Sequence, residues 1–204
     1  MTARHGRLIV FEGIDGSGKS SAIRKAAEAL RSDGLDPLVT REETDGPSGE
    51  WVRRSIADGW PPLATLHLFL ADRVRHVATE IGPALAAGRP VLCDRFVHST
   101  LAYQSVTLAG VLPDAATRLR VLHDGWCPWP DRVVLFDSDP QKAVARTARR
   151  GSRTPYEKAE FLGKVRAAYL ALAKAEPTVF TRVDADRVLA EVVADATAAV
   201  RKAL

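Results

Sequence analysis

The sequence predicts an α/β fold: a five-stranded parallel sheet flanked by helices on both faces, with a lid segment. Three observations lead there. Short apolar runs alternate with amphipathic stretches long enough for helices, the pattern of strands and crossovers in a parallel sheet. The runs are almost wholly apolar, as strands covered on both faces must be. The first of them empties into a glycine-rich turn directly before a helical stretch. At 204 residues and 46% apolar content the chain can bury a single core, and its charged residues are spread throughout without a linker, repeat or low-complexity tract. One domain spanning 1–204 is expected.

Taken in order, Leu8 to Phe11 reads as the first strand, ending at Glu12 and Gly13, and a helix follows from about Lys19 to Leu30. Pro37 to Thr40 is the second strand, entered through the Asp33-Gly34 turn. A long helix is expected over Leu63 to Leu85, a third strand over Val91 to Cys93, and a helix over Asp114 to Leu122. Val133 to Phe136 forms the fourth strand and Val179-Phe180 a weaker fifth. The remaining helices fall at Pro140 to Arg149, Glu157 to Ala175 and Arg187 to Lys202. In open α/β sheets ligands gather at the carboxyl ends of the strands, so the residues just after each strand are the candidate site.

Composition narrows the function. Met1 to Arg7 is polar and the apolar run behind it is too short for a signal-peptide core or a membrane span, so a cytoplasmic protein without membrane contact is expected. Cys93 and Cys127 lack metal-ligand spacing and read as buried free thiols. The net charge of +4 and pI near 9.3 rest largely on arginine, whose planar fork suits phosphate. No basic cluster interleaved with aromatics appears, so the anion is read as a small molecule and no nucleic-acid partner is expected.

Gly13-Ile14-Asp15-Gly16-Ser17-Gly18-Lys19-Ser20 fits the P-loop pattern between a strand and a helix. Its glycines turn backbone N–H groups toward phosphate, Lys19 adds a point charge, and the helix N-terminus adds partial positive charge. Gly13, Asp15, Gly16, Ser17, Gly18, Lys19, Ser20 and Ser21 are therefore the expected ATP-binding set, within a P-loop NTPase fold. The sequence contains no asparagine, which excludes the Asn-Lys-x-Asp guanine reader of the common GTPases.

After the third strand, Asp94 stands where an acid can hold Mg²⁺ together with the Ser20 hydroxyl, and Arg95 where it can grip a phosphate. On a helix, Ser99 and Tyr103, and likewise Thr100 and Gln104, share a face. An ordinary amphipathic helix with a surface arginine is the alternative.

These motifs, with Thr40-Arg41-Glu42 and Phe69-Leu70-Ala71-Asp72-Arg73 in the same order, resemble those of thymidylate kinases, over most of the chain. The resemblance implies transfer of the ATP γ-phosphoryl group to dTMP, giving dTDP, by a Mg²⁺-dependent homodimer. It implies that Phe69 stacks on the base and Arg73 reaches a base carbonyl, although the residues alone read as core and surface. Thr100 and Gln104 meet the base edge, Tyr103 packs by the sugar, Asp15 lies near the 3′-hydroxyl, and Arg41 and Arg95 hold the acceptor phosphate; Ser99, on the same helix face as Tyr103, is counted with this substrate-binding set. Glu42 braces Arg41 or its neighbours.

Arg146, Arg149, Arg150 and Arg153 cluster around Gly151 and Pro155, where the helical pattern breaks. The resemblance is to the bacterial type, whose P-loop lacks a mid-loop basic residue and whose lid, here about 146–156, supplies the catalytic arginine. Lys19, Arg95, Arg149 and Arg153 form the expected catalytic set. A solvated basic face is the alternative.

The chain departs from the family pattern at Glu43-Thr44-Asp45-Gly46, which puts negative charge near the acceptor phosphate, and at Ser152. Two other readings follow: a diverged kinase of another pyrimidine nucleotide or nucleoside, and a non-catalytic P-loop regulator.

Overall fold

The computed structural model describes residues 5–148 and 158–204. Its five strands are all parallel, in the order β2-β3-β1-β4-β5. They are β1 (Leu8–Glu12), β2 (Leu38–Arg41), β3 (Val91–Asp94), β4 (Arg132–Asp137) and β5 (Phe180–Asp184). Central β1 is buried along its whole length, which is why its residues are apolar up to Glu12. The register sets Phe11 beside Asp94 and Asp94 beside Arg41, so the candidate residues gather at the carboxyl ends of neighbouring strands.

The two faces are covered by different helices. α1 (Lys19–Ser32) and α9 (Leu189–Ala203) pack on the face made by Ile9, Phe11, Leu92, Val134, Phe136 and Val183. α1 meets it with Ala22, Ile23, Ala26, Ala27 and Leu30, whose spacing of three and four draws one stripe down the helix. The other face carries α3 (Pro62–His76), α4 (Gly82–Ala86), α5 (Val97–Thr107), α6 (Ala115–Val121) and α8 (Ala159–Ala175), over Leu8, Val10, Val91, Cys93, Val133 and Leu135. α7 (Pro140–Ala148) follows β4.

Two differences from the sequence expectation are informative. The single helix expected over Leu63 to Leu85 is one helical run, but a π-helical turn at Val77–Ile81 separates α3 from α4. Pro83 lies just beyond it and has no N–H to return to the preceding turn. The second is α2 (Pro47–Ala57), which was not expected. Its Ser48 and Gly49 are weak helix formers, and tertiary packing overrides them. A Cβ on Gly49 would fall 1.9 Å from the Thr44 carbonyl oxygen, so only glycine lets the preceding loop lie against this helix.

Cys93 and Cys127 are free and buried, as expected. Burial pushes both thiols up, Cys127 to about 12, which leaves them protonated and unreactive.

Glu176, at the end of α8, accepts a hydrogen bond from His98 Nε2 at 3.4 Å and pairs with Arg120. The His98 hydrogen bond first, and Arg120 after it, hold the Glu176 carboxyl down at about 2 against the opposing effect of burial. A carboxyl depressed in the folded state stabilises fully above its unfolded value near 4.5, and that contribution is lost as pH falls from there toward 2. Glu176→Gln is therefore expected to flatten the acid limb of a urea-midpoint against pH curve in this window. An acid limb as steep as the wild type's would show that the pair carries no pH-dependent stability.

Candidate active site

The glycine-rich turn follows β1 directly. Gly16 has a left-handed φ of 82°, and a Cβ there would lie 2.2 Å from the Ala143 carbonyl oxygen of α7, so both conformation and space demand glycine. Lys19 is nearly buried, its Nζ donating to the carbonyls of Gly13 at 2.9 Å and Ile14 at 3.0 Å. Burial, and then the neighbouring Arg95, lower the ammonium to about 8 despite Asp94, Asp15 and Glu12 nearby. A cation so disfavoured gains most from an arriving anion, which is what a phosphate cradle requires. Ser17 is buried beside Lys19, Gly18 caps α1 with φ 95°, and Ser20 and Ser21 open that helix.

Ser20 Oγ donates to Asp94 Oδ2 at 2.7 Å. A hydroxyl and a carboxylate oxygen thus stand together beside the loop, an all-oxygen pair suited to a hard divalent cation. Among the described residues no group of three or more His, Cys, Asp or Glu could hold a metal.

Arg95 is in the left-handed region at φ 71°, unusual for a residue with a side chain. Its N–H donates to the Phe11 carbonyl at 3.0 Å, and the conformation turns the side chain across the mouth of the loop. Nη2 donates to Asp15 Oδ1 at 2.7 Å, Nη1 donates to Ser99 Oγ at 3.1 Å, and the guanidinium carbon lies 5.0 Å from the centroid of the Tyr103 ring. The Tyr103 hydroxyl in turn donates to Asp15 Oδ2 at 3.0 Å. Burial alone would raise the Asp15 carboxyl, but Arg95, Lys19 and these hydrogen bonds outweigh it and hold Asp15 below its usual value. Asp15, Arg95, Ser99 and Tyr103 thus form one charged, hydrogen-bonded group next to Lys19.

A carboxylate that sequence reading left without a role fixes this group. Glu12 is fully buried and accepts from the N–H groups of Phe96 at 2.9 Å and Ser99 at 3.0 Å, from Ser99 Oγ at 2.6 Å and from the Tyr169 hydroxyl at 2.8 Å. It therefore caps the start of α5 from the end of β1. The one signal for it in the sequence is an acid closing an otherwise apolar run.

α3 and α5 bring a second group of the expected residues together. Arg73, expected at the base, is 1% exposed and held by Glu42, Thr100 and His123. Glu42 thus braces Arg73, while Arg41 is exposed and pairs with Asp45. Phe69, one turn before Arg73, is partly buried and belongs to none of the three core clusters, against the plain-core reading. Gln104 is buried one turn beyond Thr100, its side chain free of hydrogen bonds within the described residues.

The acidic segment after Glu42 is less adverse than its charges suggest. Asp45 pairs with Arg41, Glu43 lies 3.9 Å from Arg53, and Thr44 is tied by its N–H and hydroxyl to the buried Asp72 at 2.7 and 2.6 Å. Asp72, absent from the expected set, is what shapes this loop.

Of the arginine cluster, Arg146 is on α7, donating to Asp186 at 3.1 Å and to the Gly16 carbonyl at 3.5 Å. Arg149, Arg150 and Arg153 lie outside the described residues.

Comparison with known proteins agrees with this geometry. Residues 11–196 match the family model of thymidylate kinase. A probable thymidylate kinase of Methanosarcina mazei is 44% identical over 92% of this chain and 91% of its own. Those of Methanoculleus marisnigri and Halobacterium salinarum are 46% identical over 87% and 86%, and 40% identical over 97% and 96%, of the two chains respectively.

Proposed function

Since the chain belongs to the thymidylate kinase family, we propose that it transfers the γ-phosphoryl group of ATP to dTMP, yielding dTDP and ADP. The observation that carries this reading is the placing, beyond the carboxyl ends of the strands, of a P-loop lysine beside the Asp15–Arg95–Tyr103 group, with the buried Arg73 held by Glu42 and Thr100. One half suits the phosphates of ATP; the other suits a second nucleotide with its phosphate turned toward the first.

The acceptor phosphate oxygen is already a nucleophile, so the reaction needs positioning and charge neutralisation rather than a strong base. Lys19 holds the β and γ oxygens, and Gly13, Gly16, Ser17, Gly18 and Ser21 contribute the cradle. Arg95 and Arg41 hold the acceptor phosphate. For Arg41 this means exchanging Asp45, an exposed partner of little energetic weight, for phosphate. Tyr103, Ser99 and Asp15 flank the sugar, and Phe69, Arg73, Thr100 and Gln104 surround the base. Ser20 and Asp94 are the residues that would hold Mg²⁺, which would supply further charge neutralisation. Arg149 and Arg153 are proposed as the lid arginines that meet the transferring group.

We also propose a cytoplasmic homodimer. Leu63 and Val74 are exposed, lie eleven residues apart on α3 and so share a face, which fits a packing surface between two copies. No helix among the described residues is long and apolar enough to cross a membrane.

An ADP-release assay with ATP and Mg²⁺ against dTMP, dUMP, UMP, dCMP, dAMP, dGMP and thymidine tests the proposal. Preference for dTMP is the expected result. Turnover of another acceptor would move the substrate assignment, and ATP consumption without any acceptor would refute the transfer reading.

A further inference from the structure

Arg73 has five N–H groups, and the buried network accounts for four. Nε and one N–H of Nη2 go to Glu42 Oε2 at 2.8 and 2.5 Å, while Nη1 donates to Thr100 Oγ1 at 2.9 Å and to His123 Nε2 at 2.7 Å. Among the described residues only the second N–H of Nη2 is left over.

The His123 contact is constrained from both sides. Arginine can only donate, so Nε2 must present a lone pair. Nδ1 lies 2.6 Å from the Leu119 carbonyl, which can only accept, so the ring proton sits on Nδ1. The ring is fully buried and stacks on Trp126, with centroids 5.6 Å apart, and Trp126 is itself pinned by its Nε1–H to the Leu122 carbonyl. Burial and the adjacent Arg73 lower the imidazole to about 4, so it stays neutral in neutral solution.

We propose that His123 is a positioning residue for base selection: by accepting one Nη1–H it fixes the guanidinium plane, so that Arg73 offers the acceptor nucleotide a single Nη2–H. A base that turns a carbonyl oxygen to that hydrogen, as thymine and uracil do, is accepted; cytosine presents an amino donor there and is refused. This rests on the reading that Arg73 faces the base. Glu42 neutralises the charge, and Thr100 can rotate its hydroxyl. The His123 ring is held from two sides, by the Leu119 carbonyl and by Trp126.

The test is steady-state kinetics on His123→Leu and His123→Gln, with dTMP and dCMP as acceptors. Leucine removes the lone pair; glutamine restores an accepting oxygen. For His123→Leu the KM for dTMP is expected to rise roughly tenfold, the scale of one charge-assisted hydrogen bond, and the dTMP-over-dCMP preference in kcat/KM to fall by about as much. The kcat and the KM for ATP should stay near wild type, and His123→Gln should recover most of both losses. Unchanged dTMP KM and preference in His123→Leu, or an equal rise in the KM for ATP, would overturn the proposal. A wild-type enzyme that itself favours dCMP would instead overturn the dTMP reading. If His123→Leu does not fold, ¹⁵N-histidine NMR on the wild-type protein decides. An unprotonated Nε2 whose resonance moves on adding dTMP but not ATP supports the role, and an Nε2–H tautomer or an unmoved resonance overturns it.

Discussion

Lys19→Met is expected to lower kcat for phosphoryl transfer by about a thousandfold, the scale on which a preorganised charge stabilises a transferring phosphoryl group. The side chain is nearly buried and its only hydrogen-bond partners among the described residues are Gly13, Ile14 and Ser17 of the same loop. Its ammonium, lowered to about 8 by burial and Arg95, is held in its site at a cost until an anion arrives. That cost is recovered in the complex, and most fully where charge spreads over the γ oxygens. Methionine keeps the length and apolar stem, so thermal melting should move by only a few degrees while turnover collapses. Single-turnover measurement with saturating ATP separates the two effects. A kcat within tenfold of wild type would mean that Lys19 merely supports the loop.

The parts of the molecule that were legible in sequence are those whose chemistry is contiguous. Gly13 to Ser20 needs eight successive residues between a strand and a helix, and the Asp94 to Gln104 stretch carries two rows of α5 in one short segment. Their local geometry follows from helix spacing alone. Arg73 is the opposite case. Its partners Glu42, Thr100 and His123 are 31, 27 and 50 residues away, and only the order β2-β3-β1 and the packing of α3, α5 and α6 bring them together. A lone histidine after a helix gives no sign that it will accept from a buried arginine. Asp72 was hidden similarly, because its partners Thr44 and Ser48 come from the loop before α2 and from its first turn, 28 and 24 residues away.

The acidic segment Glu43 to Gly46 is the converse case. Read as charges alone, it opposes an acceptor phosphate. Folded, its two acids face Arg53 and Arg41, and Arg75 Nη2 donates to Thr44 Oγ1 at 3.1 Å. The arginines that compensate the segment come from β2, α2 and α3, so its electrostatic effect could not be summed before the fold was known.

The second large effect is on stability. Glu42→Ala is expected to destabilise the protein by about 3–5 kcal/mol, because it leaves the Arg73 guanidinium buried without its counter-charge. Both side chains are almost wholly enclosed, at 4% and 1% exposure, and the 2.5 Å contact is one of two hydrogen bonds to the same carboxylate oxygen. Glu42 also accepts from His76 Nδ1 at 3.1 Å, whose Nε2 reaches Thr40 at 2.7 Å, so the loss spreads to the end of β2. For a chain of this size such a loss lowers Tm by roughly 10 °C. Removing the charge on both sides should behave differently: the double variant Glu42→Ala/Arg73→Met is expected to regain much of that stability, since apolar replacement of a buried pair is often neutral or better. It should nevertheless bind dTMP poorly, because the donor proposed to meet the base is gone. Chemical denaturation and dTMP titration of the single and double variants separate the outcomes. A double variant as unstable as Glu42→Ala would show that the pair is irreplaceable for packing, and one with wild-type dTMP affinity would remove Arg73 from the base site.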